Sequence, residues 1–136
     1  MGSDHPGPLK LVISPPPPSP NRSLRRGFSI GQQTGVRKRI LKEVGWQLVG
    51  SATDPESFVT IHCHLIRKGT KPWDEGNIGS GGALKWVVDA LVKLGAIKED
   101  SPSFVAYSTP TQEYRPRSAP PNFPGALIVI LEWGEA

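Results

Sequence analysis

The chain has 136 residues, of which 37% are hydrophobic and 21% are charged, and its formal net charge is +4. This length suits one domain, and the composition is typical of a folded globular protein rather than a disordered one. No run of residues approaches the roughly 20 apolar positions that a membrane helix needs. The N-terminus lacks the basic and apolar regions of a secretory signal, and the single cysteine, Cys63, excludes an internal disulfide. We therefore expect a cytoplasmic protein with no membrane partner.

The first part of the chain predicts a tail followed by a strand. We expect residues 1–8 to be a flexible tail and residues 9–136 to form the single domain. Residues 9–14 predict a short strand, and the proline run from Pro15 to Pro18 then excludes a helix or a central strand. The run fits a rigid connection after the strand, with a ligand for an SH3-type partner as the alternative.

Residues 34–49 predict the first helix, because apolar residues recur there at helical spacing. Thr34 is positioned to cap this helix, and Gly50 is positioned to end it. Four cations crowd its first half, and they are Arg37, Lys38, Arg39 and Lys42. Cations near a helix N-terminus oppose the helix dipole, so they favour contact with an external anion such as phosphate; a solvated helix face is the alternative.

Residues 57–67 predict a strand by strict alternation. Its apolar face is predicted to carry Val59, Ile61, Cys63 and Leu65. The opposite face carries His62 and His64, which share a face because they are two residues apart. Such a pair can ligate zinc, but no further Cys or His follows nearby, so a structural or surface role is favoured.

Residues 83–94 predict the second helix, with an apolar stripe that Leu94 extends and a stop at Gly95. On this helix Asp89 lies four residues from both Lys85 and Lys93, so a ladder of ion pairs along the helix is the plain structural account of all three.

The last part of the chain predicts two more strands. Residues 103–108 suit a strand, and the prolines of residues 109–124 predict a long loop. Residues 126–133 are almost continuously apolar and predict a strand buried on both faces. The order β-α-β-α-β-β therefore predicts an α/β (α+β) fold, a single domain with a small mixed sheet and two main helices.

Two acidic pairs, at residues 74–75 and 99–100, bracket the second helix. The helix runs roughly 15 Å from Lys85 to Gly95 at about 1.5 Å per residue. The five residues that follow span at most roughly 17 Å when extended. A chain that reverses at Gly95 can therefore bring Asp100 back to the level of Lys85. A glycine-rich segment joins the first acidic pair to the same end of the helix.

Carboxylates that converge repel one another unless a cation lies between them. Hard oxygen ligands suit Mg²⁺ or Mn²⁺, and such a metal can activate water for attack on a phosphodiester. Lys85 can neutralise the charge that develops on the phosphate. These residue types therefore favour a metal-dependent nuclease in a protein of basic net charge.

The same residues resemble the RusA family of Holliday junction resolvases. That family carries an acidic motif ending in Asn, then a lysine, an amphipathic helix, a glycine and an acidic pair. The matching residues here are Asp74, Glu75, Asn77, Lys85, Asp89, Ala90, Leu91, Gly95, Glu99 and Asp100. The early segment LVISPPPPSPNR also resembles the family's first strand and the loop after it. Gly76 stands where the family has a second Asp.

The resemblance implies a RusA-like fold and a function for individual residues. The catalytic residues it implies are Asp74, Lys85 and Asp100. The metal ligands it implies for Mg²⁺, with Mn²⁺ possible, are Asp74, Glu75, Glu99 and Asp100. The DNA-binding residues predicted from the basic clusters and the family's loops are Asn21, Arg22, Arg25, Arg26, Lys38, Arg39, Lys71 and Asn77.

The expected function is that of a homodimeric endonuclease that resolves four-way DNA junctions in recombination and repair, because a two-fold dimer matches the junction's symmetry. Gly76 favours one alternative, a junction-binding protein of the same fold that has lost cleavage. A protein-interaction module that uses the proline run is a third hypothesis.

Overall fold

The computed structural model of the chain describes residues 5–18, 30–68, 78–79, 82–115 and 125–134. In chain order the elements in these ranges are β1 (Leu9–Ile13), α1 (Ile30–Leu48), β2 (Val59–Lys68), α2 (Ala83–Lys93), β3 (Val105–Tyr107), β4 (Thr111–Arg115) and β5 (Ala126–Trp133). The predicted fold class, one small mixed α+β domain with two main helices, is confirmed. The observed order has one strand more than the predicted one.

The strands form a single mixed sheet in the order β1-β5-β2, with β3 and β4 both paired to the outer edge of β2. The β1–β5 and β5–β2 pairs are antiparallel, whereas β3 and β4 run parallel to β2. The two central strands, β2 and β5, are the longest strands, and each pairs with a neighbour on both of its sides. The connection from β2 to β3 includes α2, as a parallel crossover requires.

One face of this sheet packs against both helices in a single hydrophobic core. The alternation predicted for β2 is confirmed, because Val59, Ile61, Cys63 and Leu65 are all buried. The helix residues that join this core are Ile40, Val44, Leu84, Val87, Val88 and Leu91. Burial raises the pKa of the Cys63 thiol to about 11, so the thiol stays protonated and unreactive at neutral pH.

The opposite face of the sheet is only partly covered. Burial alternates along β5, where Leu127 and Val129 are buried while Ile128 and Ile130 are intermediate. The prediction that β5 is buried on both faces is therefore wrong. The reason is that both helices pack on the same side, so a continuous apolar run here reflects one buried face and one apolar, partly exposed face.

The outer edge of β2 carries one interrupted strand. Ile61 pairs with Tyr107 and His64 pairs with Thr111, so three steps along β2 correspond to four steps along the edge. The extra residue reverses the faces: Tyr107 lies on the helix side, whereas Thr111 lies on the open side. The loop predicted for residues 109–124 is therefore wrong over β4, because edge pairing with β2 tolerates the flanking prolines.

The helix boundaries differ from the predicted ones at three ends, both ends of α1 and the C-terminal end of α2. α1 begins at Ile30, so Thr34 lies inside the helix and is not its cap. It ends at Leu48, and Gly50 follows with φ +76°, which agrees with the predicted stop. α2 ends at Lys93, and Gly95 has φ +81°. The exposed Leu94 does not extend the buried stripe, because the chain leaves the helix before it.

The proline run is held against the protein's own helices. The Arg39 guanidinium donates to the Pro15 carbonyl at 3.2 Å, and the Trp86 indole N–H donates to the Pro18 carbonyl at 2.6 Å. Pro17 is buried. These contacts favour the rigid connection over a free ligand for another protein.

The free edge of β1 is covered by a side chain of α1. The Gln47 amide accepts from the Val12 N–H at 2.7 Å and donates to the Val12 carbonyl at 2.8 Å. A side-chain amide therefore satisfies the backbone groups that a further strand would otherwise use. None of the helices in the described ranges is long and apolar enough to cross a membrane.

Candidate functional site

The predicted site residues divide into those that the structure describes and those that it does not. Lys38, Arg39, Lys85, Glu99 and Asp100 are described. The predicted residues outside the described ranges are Asn21, Arg22, Arg25, Arg26, Lys71, Asp74, Glu75 and Asn77, and Gly76 lies outside them as well. Of the two predicted acidic pairs, the structure therefore describes only the one that follows the second helix.

Lys85 lies in the first turn of α2, and its backbone N–H donates to the Gly82 carbonyl at 3.0 Å. Its side chain is about half exposed, and its Nζ lies 3.6 Å from Oδ1 of Asp89, one turn further along the helix. The ion pair predicted from the spacing is therefore present. The lysine presents its charge at the protein surface, beside a carboxylate rather than in the core.

Asp100 is positioned by the chain reversal after α2. Ala96 and Ile97 are buried, and they anchor the turn that begins at Gly95. The exposed Asp100 then accepts a hydrogen bond from the Tyr107 hydroxyl on β3, with 2.5 Å between Oδ1 and the phenolic oxygen. A hydrogen bond to a charged acceptor is short and strong, so it fixes the carboxylate in one orientation.

Tyr107 connects this carboxylate to α2. The pKa of the Tyr107 phenol is raised far above its usual range, first by burial, then by the hydrogen bond and charge of Asp100, and further by the charge of Asp89. Both carboxylates therefore act on the same phenol. Two contacts, the ion pair of Lys85 with Asp89 and the hydrogen bond of Tyr107 with Asp100, are thus linked by the effect of the Asp89 charge on the phenol, and we call these four residues the Tyr107 cluster.

The Tyr107 cluster changes the predicted arrangement in one respect. Asp100 has Tyr107 on β3 as its hydrogen-bond partner, whereas Lys85 pairs with Asp89, and the return of Asp100 to the level of Lys85 stays a prediction. Sequence reasoning missed the role of Tyr107. The signal was available, because Val105 is buried and alternation along a strand places Tyr107 on the same side, facing the helices.

The carboxylates of this cluster suit a hard divalent cation. Asp89 and Asp100 supply oxygen donors, and only Oδ1 of Asp100 is engaged by the phenol. Within the described ranges, no group of three or more His, Cys, Asp or Glu side chains is gathered closely enough to hold a metal ion. The remaining predicted ligands, Asp74 and Glu75, lie outside those ranges, and Glu99 is exposed beside Asp100.

The two histidines of β2 lie on the open face of the sheet. His62 hydrogen-bonds through Nδ1 with the Ser108 hydroxyl at 2.8 Å, and its Nε2 lies 3.1 Å from a Glu132 carboxylate oxygen. His64 makes the equivalent contacts with Thr111 at 2.6 Å and Glu113 at 3.1 Å. Each imidazole thus bridges a hydroxyl and a carboxylate, in agreement with the structural role favoured above.

The two described basic residues predicted to contact DNA lie in the middle of α1. Arg39 donates to Glu43 at 3.1 Å and to the proline run, so much of its donor capacity is used within the protein. Lys38 is exposed and lines a groove between α1 and α2. Because α1 begins four residues earlier than predicted, the cations lie beyond its first turn, and the dipole argument for an anion no longer applies to them.

The fold defines a small mixed α+β protein with a charged cluster at the surface where α2 and the edge of the sheet meet. In comparisons with known proteins, no family model matches this chain, and no curated protein matches it.

Proposed function

We propose that the protein is a divalent-metal-dependent endonuclease that resolves branched DNA such as four-way junctions. The observation that carries the proposal is the Tyr107 cluster, which has two surface carboxylates, Asp89 paired with Lys85 and Asp100 bonded to Tyr107, and both of their charges act on the same phenol. Phosphodiester cleavage needs oxygen ligands for a metal and a cation near the phosphate. The resemblance of the stretch from Asp74 to Asp100 to the RusA family supports the same activity.

Each residue of the cluster then has a task. Asp100 contributes to the metal site with Asp74, Glu75 and Glu99, and Tyr107 holds the Asp100 carboxylate in place. Lys85 stabilises the negative charge that develops on the phosphate. These carboxylates would hold Mg²⁺ or Mn²⁺, which would supply an activated water and charge stabilisation for the leaving oxygen.

The partner is DNA, and the active form is a homodimer. Opposed strands of a junction are related by two-fold symmetry, so a symmetric dimer places one site on each. The predicted DNA-binding residues, including Lys38 and Arg39 on α1, would contact phosphates, and affinity would fall steeply with salt. We place this activity in the cytoplasm.

Gly76 supports a second candidate, a junction-binding protein of the same fold without cleavage activity. A missing carboxylate removes a metal ligand but leaves the basic residues that hold DNA. The two candidates share the partner and differ only in the chemical step.

A junction-cleavage assay in Mg²⁺ and in Mn²⁺ separates them. We expect the wild type to nick a synthetic four-way junction, and Asp100→Asn to bind it without nicking. The matched control is Glu56→Gln, which also removes one exposed carboxylate but lies in the ion pair with Lys98 and should cut normally. Tight binding of the junction with no nicking by the wild type in either metal would instead establish the binding protein.

A further inference from the structure

A groove of about 240 Å³ runs between α1 and α2. Arg37, Lys38 and Leu41 line it from α1. Trp86, Asp89 and Lys93 line it from α2. The spacings along each helix place these side chains on one face, so the groove is a product of how the two helices pack.

The floor of the groove is apolar and aromatic. The Trp86 ring is 6% exposed, and its N–H is used in the hydrogen bond to the Pro18 carbonyl. The Arg37 guanidinium lies 5.7 Å from the centre of this ring, close enough for a cation–π contact. The indole is therefore fixed in place and closes the bottom of the groove, while the accessible lining comes from the partly buried Leu41 and the exposed Arg37 that lies over the ring.

The rim of the groove is positively charged. Three cations, Arg37, Lys38 and Lys93, border it, against one carboxylate, Asp89. That carboxylate is already paired with Lys85 at 3.6 Å. The rim therefore carries an excess of positive charge, and it complements an anionic ligand with a flat apolar part.

We infer that this groove binds one unpaired nucleotide of a DNA strand, with the base on the apolar floor and its phosphate at the cationic rim. Unpaired bases are held in proteins by aromatic rings and guanidinium planes, and phosphates by lysine and arginine. The groove is open to solvent and about 240 Å³ in volume, so it holds part of a nucleotide, with the rest of the strand outside it. The inference rests on the proposed function, because Asp89 lines the groove and also belongs to the Tyr107 cluster, so a nucleotide bound here would lie next to the proposed site.

The test measures binding of a labelled single-stranded oligothymidylate by fluorescence anisotropy in EDTA, where no metal-dependent cleavage occurs. We expect Lys93→Gln and Lys38→Gln each to weaken binding about five-fold or more, and Lys93→Arg to retain it. The matched control is Lys98→Gln, which removes an exposed lysine outside the groove and should change affinity less than about two-fold. Equal losses of affinity in all three glutamine variants would show that binding depends on the general surface charge and not on the groove, and this result would overturn the inference.

A second measurement addresses the base. 2-Aminopurine placed at an unpaired position should be quenched on binding, and Lys93→Gln should reduce that quenching at a given protein concentration while Lys98→Gln does not. Thymidine monophosphate should compete more strongly than inorganic phosphate or an oligoglutamate peptide. Equal competition by inorganic phosphate would indicate an anion site only, and stronger competition by the peptide would indicate an acidic protein partner; either result overturns the inference.

These outcomes are separable from the failure of the proposed function. If oligonucleotide binding depends on the groove but the protein cuts no junction, the inference stands and the proposed nuclease function is contradicted. Junction cleavage that Lys93→Gln and Lys38→Gln leave intact, together with unchanged oligonucleotide binding, would remove the inference alone.

Discussion

Tyr107 donates its phenolic hydrogen to Asp100 across 2.5 Å, and this bond fastens the third strand of the sheet to the turn that follows the second helix. The two residues are seven positions apart in the chain, with a turn and the start of β3 between them. The bond holds a surface carboxylate beside the helix that carries Lys85 and Asp89. It links the stability of the fold to the geometry of the candidate site, and that link can be tested.

Replacing Tyr107 by Phe should change how stability depends on pH. The pKa of the phenol is raised in the folded protein by burial and by Asp100, so the folded state holds this proton where the unfolded state has lost it. The contribution of the Tyr107 phenol to the free energy of unfolding is therefore fully present below about pH 10, the usual pKa of tyrosine. As the pH rises above that value, this contribution falls by up to about 1.4 kcal/mol per pH unit.

Urea unfolding of the wild type and of Tyr107→Phe at several pH values above 9 measures this difference. The fall in the free energy of unfolding should be shallower in the variant. In the Asp100→Asn background the wild-type phenol should titrate at a lower pKa, because a carboxylate no longer faces it. Parallel slopes in wild type and Tyr107→Phe would contradict the raised pKa of this phenol.

Lys85→Gln should abolish cleavage while leaving the fold intact. The pair with Asp89 is exposed, and pairs of this kind contribute only about 0.3–0.5 kcal/mol. Loss of a charge that stabilises the transition state should lower the rate of junction nicking roughly 100- to 1000-fold. The rate is measured under single-turnover conditions, with Lys98→Gln as the control that should cut normally. A loss of less than ten-fold in Lys85→Gln would remove this lysine from the mechanism.

Asp74→Asn should abolish cleavage while preserving or strengthening DNA binding. The substitution removes a predicted metal ligand and also removes negative charge close to the phosphates. Gel-shift titration of a four-way junction in EDTA measures the binding, and the nicking assay in Mg²⁺ measures the activity. Loss of binding together with loss of cleavage would indicate that Asp74 maintains the structure instead.

His64→Leu should raise the pKa of Glu113. The hydrogen bond with His64 is the largest cause that holds the pKa of this carboxyl below its usual value, and the nearby Arg115 adds to it. Since the folded pKa is depressed, the contribution to stability is present above the usual pKa and is lost as pH falls through the folded value. Carbon-detected NMR titration gives the pKa, with His62→Leu as the control. An unchanged Glu113 pKa in His64→Leu would contradict the assignment of that bond.

Gln47→Ala should destabilise the protein by about 1–2 kcal/mol, because the N–H and carbonyl of Val12 lose their partners at the edge of the sheet. The exposed edge should also increase aggregation at high protein concentration. Trp46→Ala is a useful control, since Trp46 is 70% exposed on the same helix and should alter the free energy of unfolding by less than about 0.5 kcal/mol. A smaller loss in Gln47→Ala than in this control would show that the edge does not depend on the amide.

Periodicity was enough to predict the elements that have one buried side. The alternation along β2 and the stripe along α2 follow from burial against a single layer, and each leaves its mark in the order of residues. The bounds of α1 were harder to predict than its presence. Gly31 and Gly35 lower the local helix propensity by about 1 kcal/mol each, yet extending an existing helix adds one hydrogen bond per residue, and α1 starts at Ile30.

What the sequence did not reveal depends on contacts between distant parts of the chain. β4 forms because β2 offers an unpaired edge, whereas the prolines that flank β4 had predicted a loop. β5 is apolar on both sides, although the helices cover only one side and the other is partly exposed. Tyr107 belongs to the candidate site through its hydrogen bond to Asp100, and although alternation along β3 indicates which side it faces, no local pattern identifies Asp100 as its partner.

The extra residue between β3 and β4 has a consequence for how this protein can change over time. Residues 108–110 hold one residue more than β2 has opposite them, because three steps along β2 correspond to four along the edge. Deleting Thr109 or Pro110 would make the steps equal, so Tyr107 would still pair with Ile61 on the helix side and Thr111 with His64 on the open side. Inserting a residue would instead require a second unpaired residue or would move Thr111 away from His64. We therefore expect this short stretch to tolerate the loss of one residue more readily than a gain.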